Sequence, residues 1–307
     1  MIRPPRLRAG SRVAVVAPAG PVPRDAFAAG AAILGARYQL VHEERIFART
    51  GFLAGDDDAR AAELAAALAD PAVEAIFCAR GGYGLMRILP RFDGAALARA
   101  PKLVVGFSDV TALHAWAFAA GVTSLHAPVI TQLGKLPPDD AAALFAACES
   151  PAPPPPVTGL RAIDGGASAS ASSGPVEGPL VGGNLEMISR LCGTPWALRL
   201  DGAILFLEDV GERPYRIDRQ LTQLRLAGAL DRVAGVVLGD FIGCVEKDGS
   251  APDAEAVITE RLAGRGVPIV AGAPIGHGER NRALPHGARA RLDAAAGTLT
   301  LLEGAVT

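Results

Sequence analysis

Leu103-Val104-Val105-Gly106-Phe107-Ser108-Asp109-Val110 decides the reading of this 307-residue chain. Its first five residues form a short apolar run of the kind that makes a fully buried strand. From Val110 to Ala120 the pattern becomes that of a helix. Ser108 falls on the turn between them. In that place a serine either caps the helix or stands as a nucleophile on a sharp strand-to-helix elbow. The usual elbow reads Gly-x-Ser-x-Gly. Here Val110 stands where its last glycine would be.

The same strand-then-helix grammar extends outward on both sides. Arg12 to Ala17 is a β-branched apolar run closed by Pro18-Ala19-Gly20. Helices are predicted over Asp25–Leu34 and Asp56–Leu68, the second with acidic residues in its first turn, where the helix dipole favours them. Val73 to Ala79 is a further buried strand, ending in Arg80-Gly81-Gly82-Tyr83-Gly84. Strands alternating with helices imply an α/β parallel sheet covered on both faces, and such sheets bind ligands beyond the carboxyl ends of their strands. Ser108 and the Arg80 loop both fall at such ends. From Glu149 to Gly174 the composition turns to Pro, then to Gly, Ala and Ser, as in a linker. A second α/β region follows. It has a helix at Asn184–Cys192, strands at Ala203–Leu207, Ala234–Leu238 and Val267–Ala271, helices at Tyr215–Ala227 and Asp253–Ala263, and a hairpin from Ala288 to Leu302. The expected division is an N-terminal domain over 1–150, a linker over 151–175 and a smaller C-terminal domain over 176–307.

Composition narrows the function classes. Charged residues make up 20% and the net charge is -2, so no basic excess attracts nucleic acid or an anionic membrane. No run approaches the ~20 apolar residues of a bilayer span. Four scattered cysteines lack zinc or disulfide spacing and suit a reducing compartment, so a cytoplasmic location without a metal site is expected.

A serine nucleophile requires a base, and the base an orienting acceptor. Of the five histidines, His42 lies in a charged run and reads as a surface residue. His114 is mid-helix and is expected to point away from the strand end. His126 reads as a core or lining residue, and His286 as part of a polar turn. His277, between Gly276 and Gly278, is the best base candidate, although a turn histidine is its plain alternative. Glu208 and Asp209 follow the apolar run Ala203–Leu207, so either is a candidate acceptor or a turn cap. The glycine pair Gly81-Gly82 can present backbone N–H groups to an anion, with Arg80 and Tyr83 beside it. Gly182-Gly183-Asn184 opens a helix in the same manner, or simply caps it.

Taken together, Arg80-Gly-Gly-Tyr-Gly84, Gly106-Phe-Ser-Asp109, Gly182-Gly-Asn184, Gly193-Thr-Pro-Trp196, Leu207-Glu-Asp209 and Gly276-His277 resemble the LD-carboxypeptidase family of serine peptidases, which includes the microcin C immunity peptidases. Order and spacing fit from Val13 to Gly287. The Pro- and Ser-rich stretch is unmatched. The resemblance implies an N-terminal domain like that of class I glutamine amidotransferases and a smaller C-terminal α/β domain. It implies Ser108 as nucleophile, His277 as base and Glu208 as its orienting partner. The N–H groups of Asp109 and of Gly81 or Gly82 would form the oxyanion hole. Apart from the resemblance, their place in the two glycine-rich loops makes Arg80, Gly81, Tyr83 and Asn184 the expected substrate contacts. Ser108 would come from one domain and its partners from the other. The implied enzyme is a cofactor-free homodimer that removes terminal D-alanine from murein tetrapeptide. The alternative within the family cleaves peptidyl-nucleotide antibiotics and stacks an adenine-like group on aromatic rings, for which Trp196, Tyr83 and Tyr215 are the candidates. A non-catalytic α/β binding protein is the alternative from another class.

Overall fold

The strands of the first region are apolar on both faces because helices cover both. The computed structural model describes residues 1–163, 174–246, 249 and 252–307. The Gly- and Ser-rich part of the expected linker, 164–173, lies outside the described residues. The chain divides into two compact units. Unit 1 comprises Met1–Pro153, Asn281–His286 and Gly304–Thr307, and unit 2 comprises Pro154–Arg280 and Gly287–Glu303.

In unit 1 the strands are β1 (Arg12–Val16), β2 (Gln39–Val41), β3 (Ala75–Cys78), β4 (Leu103–Gly106) and β5 (Ser124–His126). Val13, Val15, Phe77, Leu103, Val105 and Leu125 point to one face and join a single core with Phe27, Leu34 and Leu144. The alternate residues Ala14, Val16, Ile76 and Val104 are equally buried. With a side-chain period of two, burial of both sets means that both faces are covered. The pairings β2–β1–β3–β4–β5 are all parallel. The edge beyond β5 is closed by an antiparallel strand from far along the chain, Leu284–His286, which pairs His286 with Ser124. His286 is therefore a fully buried strand residue, not part of a polar turn. The local Pro-His-Gly pattern carries no trace of a partner so distant in sequence.

Unit 2 holds a seven-stranded sheet. Its strands are β6 (Arg161–Ala162), β7 (Val176–Asn184), β8 (Ile204–Val210), β9 (Gly235–Ile242), β10 (Ile269–Ala271), then, after β11 (the Leu284–His286 strand of unit 1), β12 (Arg289–Asp293) and β13 (Thr298–Leu301). β7, β8, β9 and β10 are parallel neighbours, and β12, β13 and β6 join antiparallel. β8 extends past the apolar run. Glu208 and Asp209 lie inside the strand, with a register irregularity between Leu207 and Asp209. Polar residues remain in a buried strand only where partners satisfy them, and Asp209 has three. Asn184 Nδ2 and the N–H of Val210 donate to its Oδ1, and the N–H of Glu186 to its Oδ2, at 2.8–3.0 Å.

Candidate active site

Ser108 has φ 65°, the one non-glycine residue at positive φ among the described residues. Such a conformation costs about 1–3 kcal/mol and persists only where the surroundings impose it. β4 ends at Gly106 and a helix begins at Thr111, with a single 3₁₀ turn over Ser108–Val110 between them. The elbow thus forms without the second glycine, and Ser108 itself takes the left-handed turn. No side-chain cap hydrogen bond is made at the start of that turn or of the helix. Asp109 is buried, and its Oδ2 accepts the N–H of Leu85 at 2.9 Å. Burial pushes its carboxyl up to about 6, against the pull of that N–H and of Arg60.

The loop after β3 lies against the elbow. A Cβ on Gly81 would stand 2.8 Å from Ser108 Cβ and 3.0 Å from its Oγ, so only glycine allows this approach. Gly82 has φ 109°, a region that favours glycine. The Gly81 carbonyl accepts the N–H of Gly20 at 2.9 Å, which ties the loops after β1 and β3. Arg80 donates from Nη1 to the Pro21 carbonyl and so braces the same pair of loops. Buried Arg60 adds a third tie, donating from Nη1 to the carbonyls of Pro18 and Gly84. The sequence pattern gives no hint of that role, since Arg60 reads as one charge on a helix. Tyr83 is half exposed and meets the exposed ring of Phe52 edge to face, with centroids 5.5 Å apart.

In unit 2, His277 Nδ1 lies 2.7 Å from Glu208 Oε2. A carboxylate accepts, so Nδ1 carries the proton and the lone pair is left on Nε2. Glu208 is fully buried, and its Oε1 has no hydrogen-bond partner among the described residues. Gly276, at φ 120°, makes the approach possible, because a Cβ there would come within 2.9 Å of Oε2. Burial lowers the imidazole pKa. The hydrogen bond and charge of Glu208, with the charges of Asp209 and Asp240, outweigh it and raise the pKa above the ordinary value. Burial and the charge of Glu208 together hold the Asp209 carboxyl up at about 7. Asp240, on β9, was not singled out by the sequence. It accepts the N–H of Gly278 and fixes the far side of the histidine loop. Its signal was an acid at the end of an apolar run, the same as for Glu208. Asn184 caps the helix Leu185–Leu191, its Oδ1 accepting the N–H of Met187, so that both ends of its amide are engaged.

After β8 lies a pocket of about 320 Å³ lined by Glu186, Glu212, Arg190, Arg216, Arg219 and Tyr215. Its walls carry charges of both signs. Among the described residues no group of three or more His, Cys, Asp and Glu is placed to hold a metal ion.

The expected nucleophile and the two glycines thus belong to unit 1, and the expected base and acceptor to unit 2. Comparison with known proteins agrees with the motif reading. Residues 13–127 match the LD-carboxypeptidase N-terminal domain and 177–292 the C-terminal domain. The murein tetrapeptide carboxypeptidase of Pseudomonas aeruginosa is 35% identical over 92% of this chain and 93% of its own. A muramoyltetrapeptide carboxypeptidase structure from Oxalobacter formigenes superimposes with a TM-score of 0.81 at 31% identity, covering 95% of this chain and 98% of that one. The microcin C7 self-immunity protein MccF, in its inactive-mutant apo state, shares the fold at TM-score 0.89 and 23% identity, with both chains fully covered. The chain belongs to the LD-carboxypeptidase family.

Proposed function

We propose that this protein is a serine-type LD-carboxypeptidase that releases terminal D-alanine from murein tetrapeptide. The observation that carries the reading is the left-handed Ser108 at a strand end, held against Gly81. Strain of this kind is retained where a reactive hydroxyl must be presented. The Glu208–His277 pair supports it, since an imidazole oriented through Nδ1 keeps Nε2 as a base.

In this mechanism Ser108 Oγ attacks the carbonyl between the L-centre of diaminopimelate and D-alanine, and His277 takes its proton. The oxyanion is held by the N–H groups of Asp109 and Gly82, which act most strongly on charge that develops in the transition state. Collapse breaks the C–N bond, and the proton on His277 passes to the leaving amine. Water, deprotonated by His277, then hydrolyses the acyl-enzyme. Arg80, Gly81, Tyr83 and Asn184 are the proposed substrate contacts. For Arg80 the contact would come through donors other than the one that holds Pro21. Four free cysteines fit a cytoplasmic reaction on recycled murein peptides. Among the described residues no helix is long and apolar enough to cross a membrane. The enzyme is expected to work as a homodimer without a cofactor.

Mass spectrometry of murein tetrapeptide incubated with wild-type and Ser108→Ala protein tests the proposal. Wild type should release D-alanine, and the variant should be slower by up to about 10⁶-fold. Release by Ser108→Ala at the wild-type rate would remove serine catalysis. A wild type that spares the tetrapeptide but cleaves a peptidyl-adenylate mimic would move the substrate to the antibiotic class.

A further inference from the structure

His114 reads from sequence as a helix residue turned away from the strand end, and the structure places it otherwise. It is fully buried within unit 1, with Nε2 2.8 Å from the Gly106 carbonyl and Nδ1 2.9 Å from Ser124 Oγ. A carbonyl can only accept, so Nε2 carries the proton and Nδ1 accepts from the Ser124 hydroxyl. Both partners lie on strands, Gly106 at the end of β4 and Ser124 on β5, whereas His114 lies on the helix Thr111–Ala119 that follows the elbow. The Gly106 carbonyl also accepts the N–H of Ala127 at 3.0 Å. Gly106 is therefore pinned from two sides, two residues before Ser108.

The rings around His114 continue the brace. His286 stacks on it with centroids 5.4 Å apart and planes 21° apart, and His126 lies at 6.1 Å. His126 in turn packs on Phe107, the residue before the serine, at 5.9 Å. Phe118 meets His286 edge to face from the same helix as His114. No carboxylate is among the hydrogen-bond or ring partners of His114, and burial lowers its pKa to about 4, so the ring is neutral in the ordinary pH range. A neutral, doubly bonded imidazole on the helix joins the outgoing limb of the elbow to the incoming one.

We propose that His114 is a positioning residue for Ser108: its Nε2–H bond to the Gly106 carbonyl locks the strand end and the helix together and holds the serine in its left-handed, reactive conformation. The inference rests on the reading of Ser108 as nucleophile. It differs from a core-filling role in one respect, because the hydrogen bond matters rather than the volume. A glutamine can reach Gly106 with an N–H and accept from Ser124, whereas a leucine fills the space and donates nothing.

The test compares wild type, Ser108→Ala, His114→Leu and His114→Gln. It reads the rate of covalent labelling by a fluorophosphonate, kcat and KM on murein tetrapeptide, and the thermal midpoint. His114→Leu should lose about tenfold to a hundredfold in both labelling rate and kcat with KM unchanged, since small misplacements of a reacting group have effects of that size. His114→Gln should recover most of the loss. Where His114→Leu does not fold, His114→Asn, too short to reach Gly106, takes its place with the same expectation. Wild-type rates in the leucine variant, or equal losses in the leucine and glutamine variants, would overturn the positioning role. A wild type that is not labelled at Ser108 would instead remove the nucleophile itself, and the two failures are told apart by the Ser108→Ala control.

Discussion

Glu208 is the residue whose surroundings say most about how the proposed base would work. Its carboxylate is buried, one oxygen faces His277 Nδ1, and the other has no hydrogen-bond partner among the described residues. A buried carboxylate of this kind is stabilised mainly by the positive charge that appears when its partner takes a proton. The same attraction raises the pKa of His277 against the opposing effect of burial. General-base catalysis requires neutral His277, so activity should fall as pH drops through a value above the usual imidazole 6.5. Glu208→Gln removes the negative charge, which lowers the imidazole pKa. The acidic limb of the kcat/KM profile should then move to lower pH, while the plateau falls by about 10⁴-fold, the loss seen when a triad acid becomes an amide. The full pH profile of both proteins checks this. A limb that stays put, or moves upward, would show that another group governs it.

At the scale of elements, the ends of strands carry the candidate chemistry, and the sequence showed some ends better than others. β1, β3 and β4 were legible because apolar runs stop abruptly at Pro18, Arg80 and Ser108. The end of β8 was not legible. It was read as Leu207, but the strand continues to Val210 because Asn184 and the helix start at Glu186 satisfy Asp209. Those partners lie on a neighbouring strand and helix, and no local pattern announces them. The role of His114 was hidden for the same reason, since helical periodicity does not reveal which carbonyl a side chain reaches. The glycines were legible as a motif but not as geometry. Gly81 is required less for its own backbone conformation than for the space that Ser108 occupies. Gly81→Ala should therefore leave the thermal midpoint within a few degrees of wild type while lowering kcat/KM by about a hundredfold, through displacement of Oγ. Loss of folding together with loss of rate would assign Gly81 to the stability of the loop instead.

At the scale of the whole molecule, the chain does not complete unit 1 in one pass. The first 153 residues supply five strands, but the sixth comes from Leu284–His286, and Gly304–Thr307 returns to the same unit. Ala283, Ala305 and Val306 are buried in its core. Thr123 Oγ1 donates to the Ala305 carbonyl at 2.9 Å, and Asn281 is tied to Asp140 and Gln132 at 3.0 and 2.8 Å. The chain passes from unit 2 to unit 1 between Arg280 and Asn281, shortly after His277. Unit 1 is thus a product of the full chain, and this has a direct consequence for fragments. Residues 1–153 alone would expose the whole edge of β5 and leave the places of Ala283 and Val306 empty. An open, apolar sheet edge invites pairing with other chains, and each missing core side chain costs on the order of 1–3 kcal/mol, a large share of a marginal stability. The fragment should therefore associate in size-exclusion chromatography and lack the cooperative thermal transition of the full-length protein. A monomeric fragment that melts cooperatively at the full-length temperature would mean that β11 and the last segment decorate unit 1 rather than complete it.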